Sequence, residues 1–244
     1  MLRGLLLLLA MSSTACASQV VNGYLRGRPL GPGHVETGVS LSWARQPTSD
    51  VAFRADEVEA ETTESVSPIP APVGHFRMGV TERIDAGLDV SFTGAALSGK
   101  FAIFDADAFM MSVVGRVGSW SGDIAGEGPN GLRTGGSFEG VLALPLAIRP
   151  APWIEIVITP NVGMLTVDAT RYEIERLPSA DLVGQAGTSA RSFVTAHAGF
   201  ALGASFAVWR VRINPEINVV SVLRPDHDKG FFAAYPGVAA FFVY

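Results

Sequence analysis

The chain has 244 residues, of which 48% are hydrophobic and 17% are charged, and its net charge is −5. This apolar content excludes an intrinsically disordered chain, and the single cysteine excludes a disulfide scaffold. Because 18 basic residues face 23 acidic ones and no basic cluster occurs, nucleic acid is not an expected partner.

Residues 1–17 are predicted to be a secretory signal peptide. Arg3 supplies the positive start, and residues 5–11 form an apolar stretch that is too short to cross a bilayer as a helix. The segment that follows the signal, residues 18–33, is predicted to be a periplasmic N-terminal segment.

Two cleavage sites fit the end of this signal. Ser13-Thr14-Ala15-Cys16 resembles a bacterial lipobox, and cleavage before Cys16 leaves that cysteine for lipidation. Cleavage after Ala17, at an A-x-A site, removes it instead. Lipidation is favoured because the only cysteine lies where the lipobox resemblance needs it. The resemblance also implies sorting to the outer membrane, since Ala17 and not an aspartate follows the cysteine.

From residue 34 onward, apolar and polar residues alternate with a period of two, which is typical of β-strands with one apolar face. In the first segment, 34–44, Val39 and Leu41 share one face, whereas Glu36 and Ser40 share the other. The alternation continues through segments 75–81, 88–93, 97–103, 109–118, 137–149, 154–164, 194–206, 210–219 and 232–244. About ten strands are therefore predicted.

Short and long connections alternate between these strands. Short turns are predicted near Asp85, Asp105, Pro150 and Trp209. Longer connections are predicted at 46–73, 119–135, 167–191 and 223–230. This arrangement favours an all-β fold, a transmembrane antiparallel up-and-down β-barrel over residues 34–244, with eight to twelve strands and both ends of the sheet in the periplasm.

The polar faces carry charges of both signs. The predicted lumen polar network is Glu36, Arg77, Asp89, Lys100, Arg116, Glu139, Glu155, Arg212 and Glu216. Charges persist inside a protein when they are paired, whereas an outward Lys or Arg at the middle of a bilayer costs about 2–4 kcal/mol. A soluble sheet would expose its polar face, so the apolar face is predicted to contact lipid.

With its signal, its alternation and its final aromatic residue, the chain resembles bacterial outer-membrane β-barrel proteins. Members of that class commonly end in an aromatic residue with hydrophobic residues two and four positions earlier, here Tyr244, Phe242 and Ala240. The resemblance implies a location in the outer membrane, contact with its lipid, and recognition of this segment by the barrel-assembly machinery.

No pattern of catalytic residues stands out, and neither a cofactor nor a metal site is expected. Asp226, His227 and Asp228 resemble the rim residues of ten-stranded outer-membrane proteases. The full motif of those proteases needs a second acid pair, and no such pair can be assigned in the sequence. His197 faces inward, and Ser205 is too far along the same strand to reach it. The acidic run 56–61 fits a solvated loop.

Three functions remain open. The first is a non-enzymatic barrel, either structural or a narrow and largely plugged pore. The second is a soluble lipocalin-like periplasmic barrel that binds an apolar ligand, which requires the apolar face to point inward. The third is an outer-membrane hydrolase with its site at the extracellular rim.

Overall fold

The computed structural model describes residues 26–42, 45–53, 58–66, 71–91, 94–123, 133–176, 183–223 and 231–244. The strands in these ranges are β1 (Val35–Ser42), β2 (Arg45–Phe53), β3 (Val58–Val66), β4 (Ala71–Gly79), β5 (Ile84–Val90), β6 (Gly94–Asp105), β7 (Phe109–Asp123), β8 (Arg133–Ala143), β9 (Leu146–Ala151), β10 (Ile154–Arg176), β11 (Val183–Val208), β12 (Val211–Leu223) and β13 (Phe231–Val243). Within those ranges, no helix is long and apolar enough to cross a membrane.

The strands form a closed antiparallel barrel. From β4 to β8 and from β9 to β13 each strand pairs with its neighbour in the chain, and β1 pairs with both β4 and β13, which closes the sheet. β8 and β9 both pair with β7 and with β10, and together they occupy one strand position of the barrel. The described strands therefore make a ten-stranded barrel. β2 and β3 form a separate hairpin. The predicted fold class and the strand number of ten are confirmed.

The break between β8 and β9 falls inside the segment 137–149, which the alternation predicts as one strand. Pro145 has no N–H to give to the ladder, so the strand cannot run through it undisturbed. Its neighbours still bond across the break. The Leu144 N–H donates to the Pro160 carbonyl at 2.9 Å, and the Pro145 carbonyl accepts from the Ser112 N–H at 3.0 Å.

Four short connections lie at one end of the barrel, which we call the short-turn end. They are residues 80–83, 106–108, 152–153 and 209–210. Their positions agree with the predicted turns. The last two have only two residues each, and Trp209 adopts a positive φ of 56° in the last.

The opposite end, which we call the long-loop end, differs from the prediction. Part of the predicted loop 46–73 forms the β2–β3 hairpin, and most of the predicted loop 167–191 belongs to β10 and β11. Backbone pairing between these two strands continues to Arg176 and Val183. About 9–11 tilted residues suffice to span a membrane. With 23 and 26 residues, β10 and β11 are therefore longer than a membrane span requires.

The two faces of the barrel wall have opposite chemistry. Outward side chains in mid-strand are large and apolar, for example Leu97 at 61% exposed. Others on this surface are Val39, Phe76, Phe101, Val117, Leu142, Ile158, Val162, Phe200, Ile213 and Ile217. Exposed charged side chains, within the described part, occur at the short-turn end at Glu82, Arg83, Asp105, Asp107 and Arg210. Such an exterior suits lipid, and the inward apolar face required by the lipocalin-like alternative is contradicted.

Candidate functional site: the lumen of the barrel

The nine residues predicted to form a lumen network come from eight of the barrel strands. Eight of them are buried and Arg77 is partly buried. They lie inside because they occupy the alternate strand positions whose side chains point into the barrel. The register of neighbouring strands then decides which of them meet, and it gathers most of them into two groups.

The first group, the Glu36 cluster, surrounds one carboxylate with three guanidinium groups. Arg212 donates from Nε to Glu36 Oε2 at 2.9 Å and from Nη2 to Oε1. Arg77, which lies opposite Glu36 in the β1–β4 register, donates to Oε1 at 3.4 Å. The Arg26 guanidinium lies 3.7 Å from Oε2. Glu36 is 0% exposed, so this carboxylate is fully enclosed by its partners.

Phe241 fills the space beside this cluster. Its ring lies between two cations, with the Cζ atoms of Arg212 and Arg77 at 4.4 and 5.0 Å from its centroid. The His75 ring packs against it at 5.5 Å. A side chain at Gly38 would overlap the Phe241 ring, so the glycine makes room for it. Because side chains alternate along a strand, the pattern that places Phe242 outward also places Phe241 inward. Phe241 can therefore be recognised from the sequence as a lumen residue.

Residues 26–30, which we call the strap, lie inside the barrel wall near the short-turn end. The Lys100 ammonium donates to the carbonyls of Arg26 and Arg28, both at 2.8 Å. Arg28 continues toward the turn between β6 and β7, where its Nε donates to Asp105 at 3.1 Å. The backbone of the strap is thus bound by a lumen side chain of the wall.

The strap fits tightly where it crosses to β7, β9 and β10. The Gly27 N–H donates to Glu155 Oε1, and its carbonyl accepts from Ser112 Oγ at 2.8 Å. A Cβ at position 27 would overlap the Ala147 Cβ and come within 3.3 Å of the Met110 Cβ. Only glycine therefore fits this crossing.

No sequence pattern predicts the strap, which belongs to the segment 18–33, predicted to be a periplasmic N-terminal segment. It has no periodicity, and its partners are distant in the chain. The Leu30 N–H, for example, donates to Asp85 Oδ1 at 2.9 Å across 55 positions. Periodicity identifies which residues face inward, but it does not reveal what occupies the space between them.

The second group, the Ser40 cluster, joins three neighbouring strands farther toward the long-loop end. His75 Nδ1 lies 2.6 Å from Asp89 Oδ1, and His75 Nε2 lies 2.7 Å from Ser40 Oγ. Arg116 Nε lies 3.4 Å from the other carboxylate oxygen of Asp89. Two of these residues, Asp89 and Arg116, were predicted site residues, whereas the joining of Ser40 and His75 to them was missed.

Two other predicted acids, Glu139 and Glu216, are also buried in the lumen. Glu139 is buried on β8, between Gly118 of β7 and Leu165 of β10. Glu216 is buried on β12 and accepts from Asn218 Nδ2 at 2.8 Å.

His197 and Ser205 do not meet. Gly163 lies opposite His197, and a side chain at that glycine would overlap the imidazole ring. Ser205 is buried and accepts from Arg212 Nη1 at 3.5 Å. The expectation that these two residues form no pair agrees with this geometry.

Other predicted residues lie elsewhere. Cys16 and the loop residues Asp226, His227 and Asp228 are outside the described residues. Ala240, Phe242 and Tyr244 share the outward face of the closing strand β13 and its end, and all three are exposed.

Small cavities lie along the lumen axis. One of about 20 Å³ adjoins the Glu36 cluster and the strap residues Arg26 and Leu30. Another of about 40 Å³ adjoins Asp89 and Arg116. Since one water needs about 10–15 Å³ of such volume, these spaces hold only a few waters each.

No protein-family model and no curated protein matches the chain. Among solved structures it is similar to Ail, the attachment invasion locus protein of Yersinia pestis, with 9% identity over 87% of this chain and 99% of that chain and a TM-score of 0.37. It is also similar to the outer membrane protease OmpT from Escherichia coli, with 9% identity over 86% of this chain and 91% of that chain and a TM-score of 0.43.

The wall of the barrel defines the class of protein. Its ten described strands close on themselves and leave no open edge, as lipid requires of a spanning sheet. Its exterior is apolar and its interior is charged. This is an outer-membrane β-barrel protein, located in the bacterial outer membrane.

Proposed function

We propose that the protein is a closed outer-membrane barrel, a scaffold that does not conduct solutes. The observation that carries the proposal is the strap, which lies across the periplasmic end of the lumen and is bound by Lys100, Ser112, Glu155 and Asp85. These contacts come from four different strands, β6, β7, β10 and β5. This arrangement corresponds to the narrow and largely plugged pore expected from the sequence.

The Glu36 cluster supports the same proposal. Ion pairs across the lumen connect β1 with β4, β12 and the strap. A buried carboxylate held by three cations is costly to separate, because each partner left alone keeps its desolvation penalty. A solute that passed this level would have to separate these groups, and the cavities that border them among the described residues have volumes of only about 20 and 40 Å³.

The scaffold holds extended hairpins at the long-loop end. β10 has 23 residues and β11 has 26, well beyond what the membrane requires. This role needs no catalytic residue. It accounts for a barrel whose interior is occupied and whose outer strands continue past the bilayer.

Single-channel recording in planar bilayers tests the closed barrel. The wild-type protein is expected to give no steady openings. In the Lys100→Ala/Ser112→Ala double variant, the strap loses three hydrogen bonds to the wall. We therefore expect openings to appear in this variant.

The matched control is Arg83→Ala/Glu82→Ala, which removes two charged side chains from an exposed turn at the same end of the barrel. It should remain silent. Steady openings of roughly nanosiemens size in the wild-type protein, as wide 16-stranded porins would give, would contradict the proposal.

We also propose that Ala240, Phe242 and Tyr244 are the signal read by the barrel-assembly machinery, and that outer-membrane lipid covers the apolar belt. The exposure of these three residues on the closing strand supports this role. In cells, Phe242→Ala/Tyr244→Ala is expected to lower the folded fraction seen as a heat-modifiable gel band. Phe76→Ala/Val39→Ala, on neighbouring strands of the same surface, should lower it much less.

Lipidation of Cys16 remains part of this proposal. Mass spectrometry of the mature protein decides between the two cleavage sites. A diacylated cysteine as the first residue supports lipidation. A chain that begins at Ser18 has lost Cys16 and contradicts lipidation.

A further inference from the structure

We propose that Ser40 is an activated nucleophile, with His75 as its general base and Asp89 as the group that orients the histidine, and that this site cleaves small esters. The inference goes beyond the scaffold role. It rests on the order of the three side chains. Ser40 Oγ and Asp89 Oδ1 bond to opposite nitrogens of one imidazole, at 2.7 and 2.6 Å.

The register of three adjacent strands holds this geometry. His75 on β4 lies directly opposite Asp89 on β5. On the other side it lies opposite Gly38 on β1, so Ser40 is its diagonal neighbour on the same face. Cross-strand neighbours at these positions are close enough for side chains to meet. Rigid sheet elements thus position all three groups, as a catalytic constellation requires.

Asp89 and His75 are each oriented by a further contact. The second oxygen of Asp89 faces Arg116 Nε at 3.4 Å, which favours an ionised carboxylate turned toward His75. With the proton on Nδ1, the imidazole donates to Asp89, and the unprotonated Nε2 accepts the hydrogen bond of the Ser40 hydroxyl. Phe241 packs against the ring and limits its rotation.

The surroundings of Ser40 favour a small acyl group. Its two cross-strand neighbours on the same face are Val73 and Ala239, and Ala96 lies opposite Asp89. These three side chains are small, apolar and buried. Ser40 itself is only 1% exposed, so a bulky substrate does not fit. Because the strap lies across the periplasmic end, the ester enters from the long-loop end.

Water for the second half of the reaction has a place beside the site. The cavity of about 40 Å³ is bordered by Asp89 and Arg116 and by the polar side chains of Ser98, Thr159 and Asn161. Its wall also includes the apolar side chains of Val114, Val141, Ala143 and Ala201. A space of this size with several polar groups on its wall has room for about three waters.

The reaction is an acyl transfer followed by hydrolysis. Ser40 Oγ forms a bond to the ester carbonyl carbon while its proton passes to His75 Nε2. The carbon–oxygen bond to the alcohol then breaks, and the alcohol leaves with that proton from Nε2, so that an acyl-Ser40 ester remains. Water attacks the acyl carbon in the same way, transfers a proton through Nε2 to Ser40 Oγ, and releases the carboxylic acid.

The experiment uses the full chain, folded in detergent micelles, and two small probes, diisopropyl fluorophosphate and p-nitrophenyl acetate. The fluorophosphate should add one diisopropylphosphoryl group per chain with loss of fluoride, and peptide mapping should place it on Ser40. The folded protein should also release p-nitrophenol faster than the urea-unfolded chain does. Ser40→Ala should abolish the adduct, and His75→Gln should lower the labelling rate at least 100-fold, since a positioned base contributes about 10²–10⁴-fold.

Ser205→Ala is the matched control, because Ser205 is another buried lumen serine, whose described bond is to Arg212 and not to a histidine. It should label at the wild-type rate. Asp89→Asn tests the positioning residue, and Asp89→Glu should restore part of the lost rate, which a purely structural role would not predict. Heat-modifiable gel migration verifies that each variant is folded.

Adduct mapping on the wild-type protein decides the matter even if variants fail to fold. A folded chain that stays unlabelled, or an adduct on a residue other than Ser40, overturns the proposal. In that case Ser40, His75 and Asp89 are a hydrogen-bonded support of the wall. The conductance result is independent, since a silent barrel can carry a reactive serine and a conducting barrel can lack one.

Discussion

The two halves of the lumen stabilise their buried charged groups in different ways. Toward the short-turn end, Glu36 is enclosed by three cations, and the strap is bound by side chains of four strands. Toward the long-loop end, Ser40, His75 and Asp89 form one line of hydrogen bonds beside small apolar residues. Dense cross-linking closes one half, whereas the other half depends on the correct order of three groups.

The largest expected effect comes from removing the charge at the centre of the short-turn half. Glu36→Gln leaves the guanidinium groups of Arg212 and Arg77 buried without their carboxylate. We expect the free energy of unfolding to fall by about 3–5 kcal/mol, measured by urea titration in lipid vesicles. Glu82→Gln, at an exposed turn, should change it little. A loss below 1 kcal/mol would mean that water already compensates these charges.

The next effect tests the fit of the strap. Gly27→Ala forces a methyl group into the space of the Ala147 Cβ. We expect a loss of about 1–3 kcal/mol from overpacking, together with the appearance of openings in planar bilayers as the strap is displaced. Gly115→Ala is the control, because a Cβ at that outward position meets nothing within 4 Å. Equal effects at both glycines would show that the strap is not tightly held.

A smaller loss of stability is expected in the long-loop half. Ser40→Ala removes one hydrogen bond, while His75 keeps its bond to Asp89. The free energy of unfolding should fall by about 0.5–1.5 kcal/mol in the same urea titration. A loss as large as that of Glu36→Gln would remove the distinction between the two halves.

The smallest effect concerns the outer end of the strap. Arg28 pairs with Asp105 at 3.1 Å, and both side chains are about one-third exposed. Arg28→Ala should cost about 0.2–1 kcal/mol, and the cost should shrink when salt is raised from 0.05 to about 0.5 M, because screening weakens exposed pairs. A cost that salt does not change would show that this arginine acts through packing of its stem.

The sequence reveals which face each residue occupies, because the side-chain period of a strand is two. Glu36, Arg77 and Arg212 were all placed inward by parity alone, and the strand number follows from counting alternating segments. Their meeting at one carboxylate was not predictable. It depends on the register between strands that are separated by up to 176 positions, and register is set by turns and tertiary packing.

The same limit explains why the Ser40 cluster was missed. Ser40, His75 and Asp89 stand on the inward face in the sequence pattern, yet their spacing of 35 and 14 positions resembles no motif. The hairpins beyond the membrane were missed for another reason. There the sequence has no regular alternation of apolar and polar residues, although backbone pairing continues.

The seam between β1 and β13 has a consequence for how the chain is made. It joins Glu36 to Val243, about two hundred positions apart, and the Tyr244 N–H donates to the Val35 carbonyl at 2.8 Å. A ribosome therefore releases β1 long before its final partner exists. Until then two sheet edges are open to pairing with other chains, and the contacts that close them are the most distant and the slowest to form. Closure must wait until translation has passed β13, so the nascent chain needs protection from aggregation on its way to the membrane.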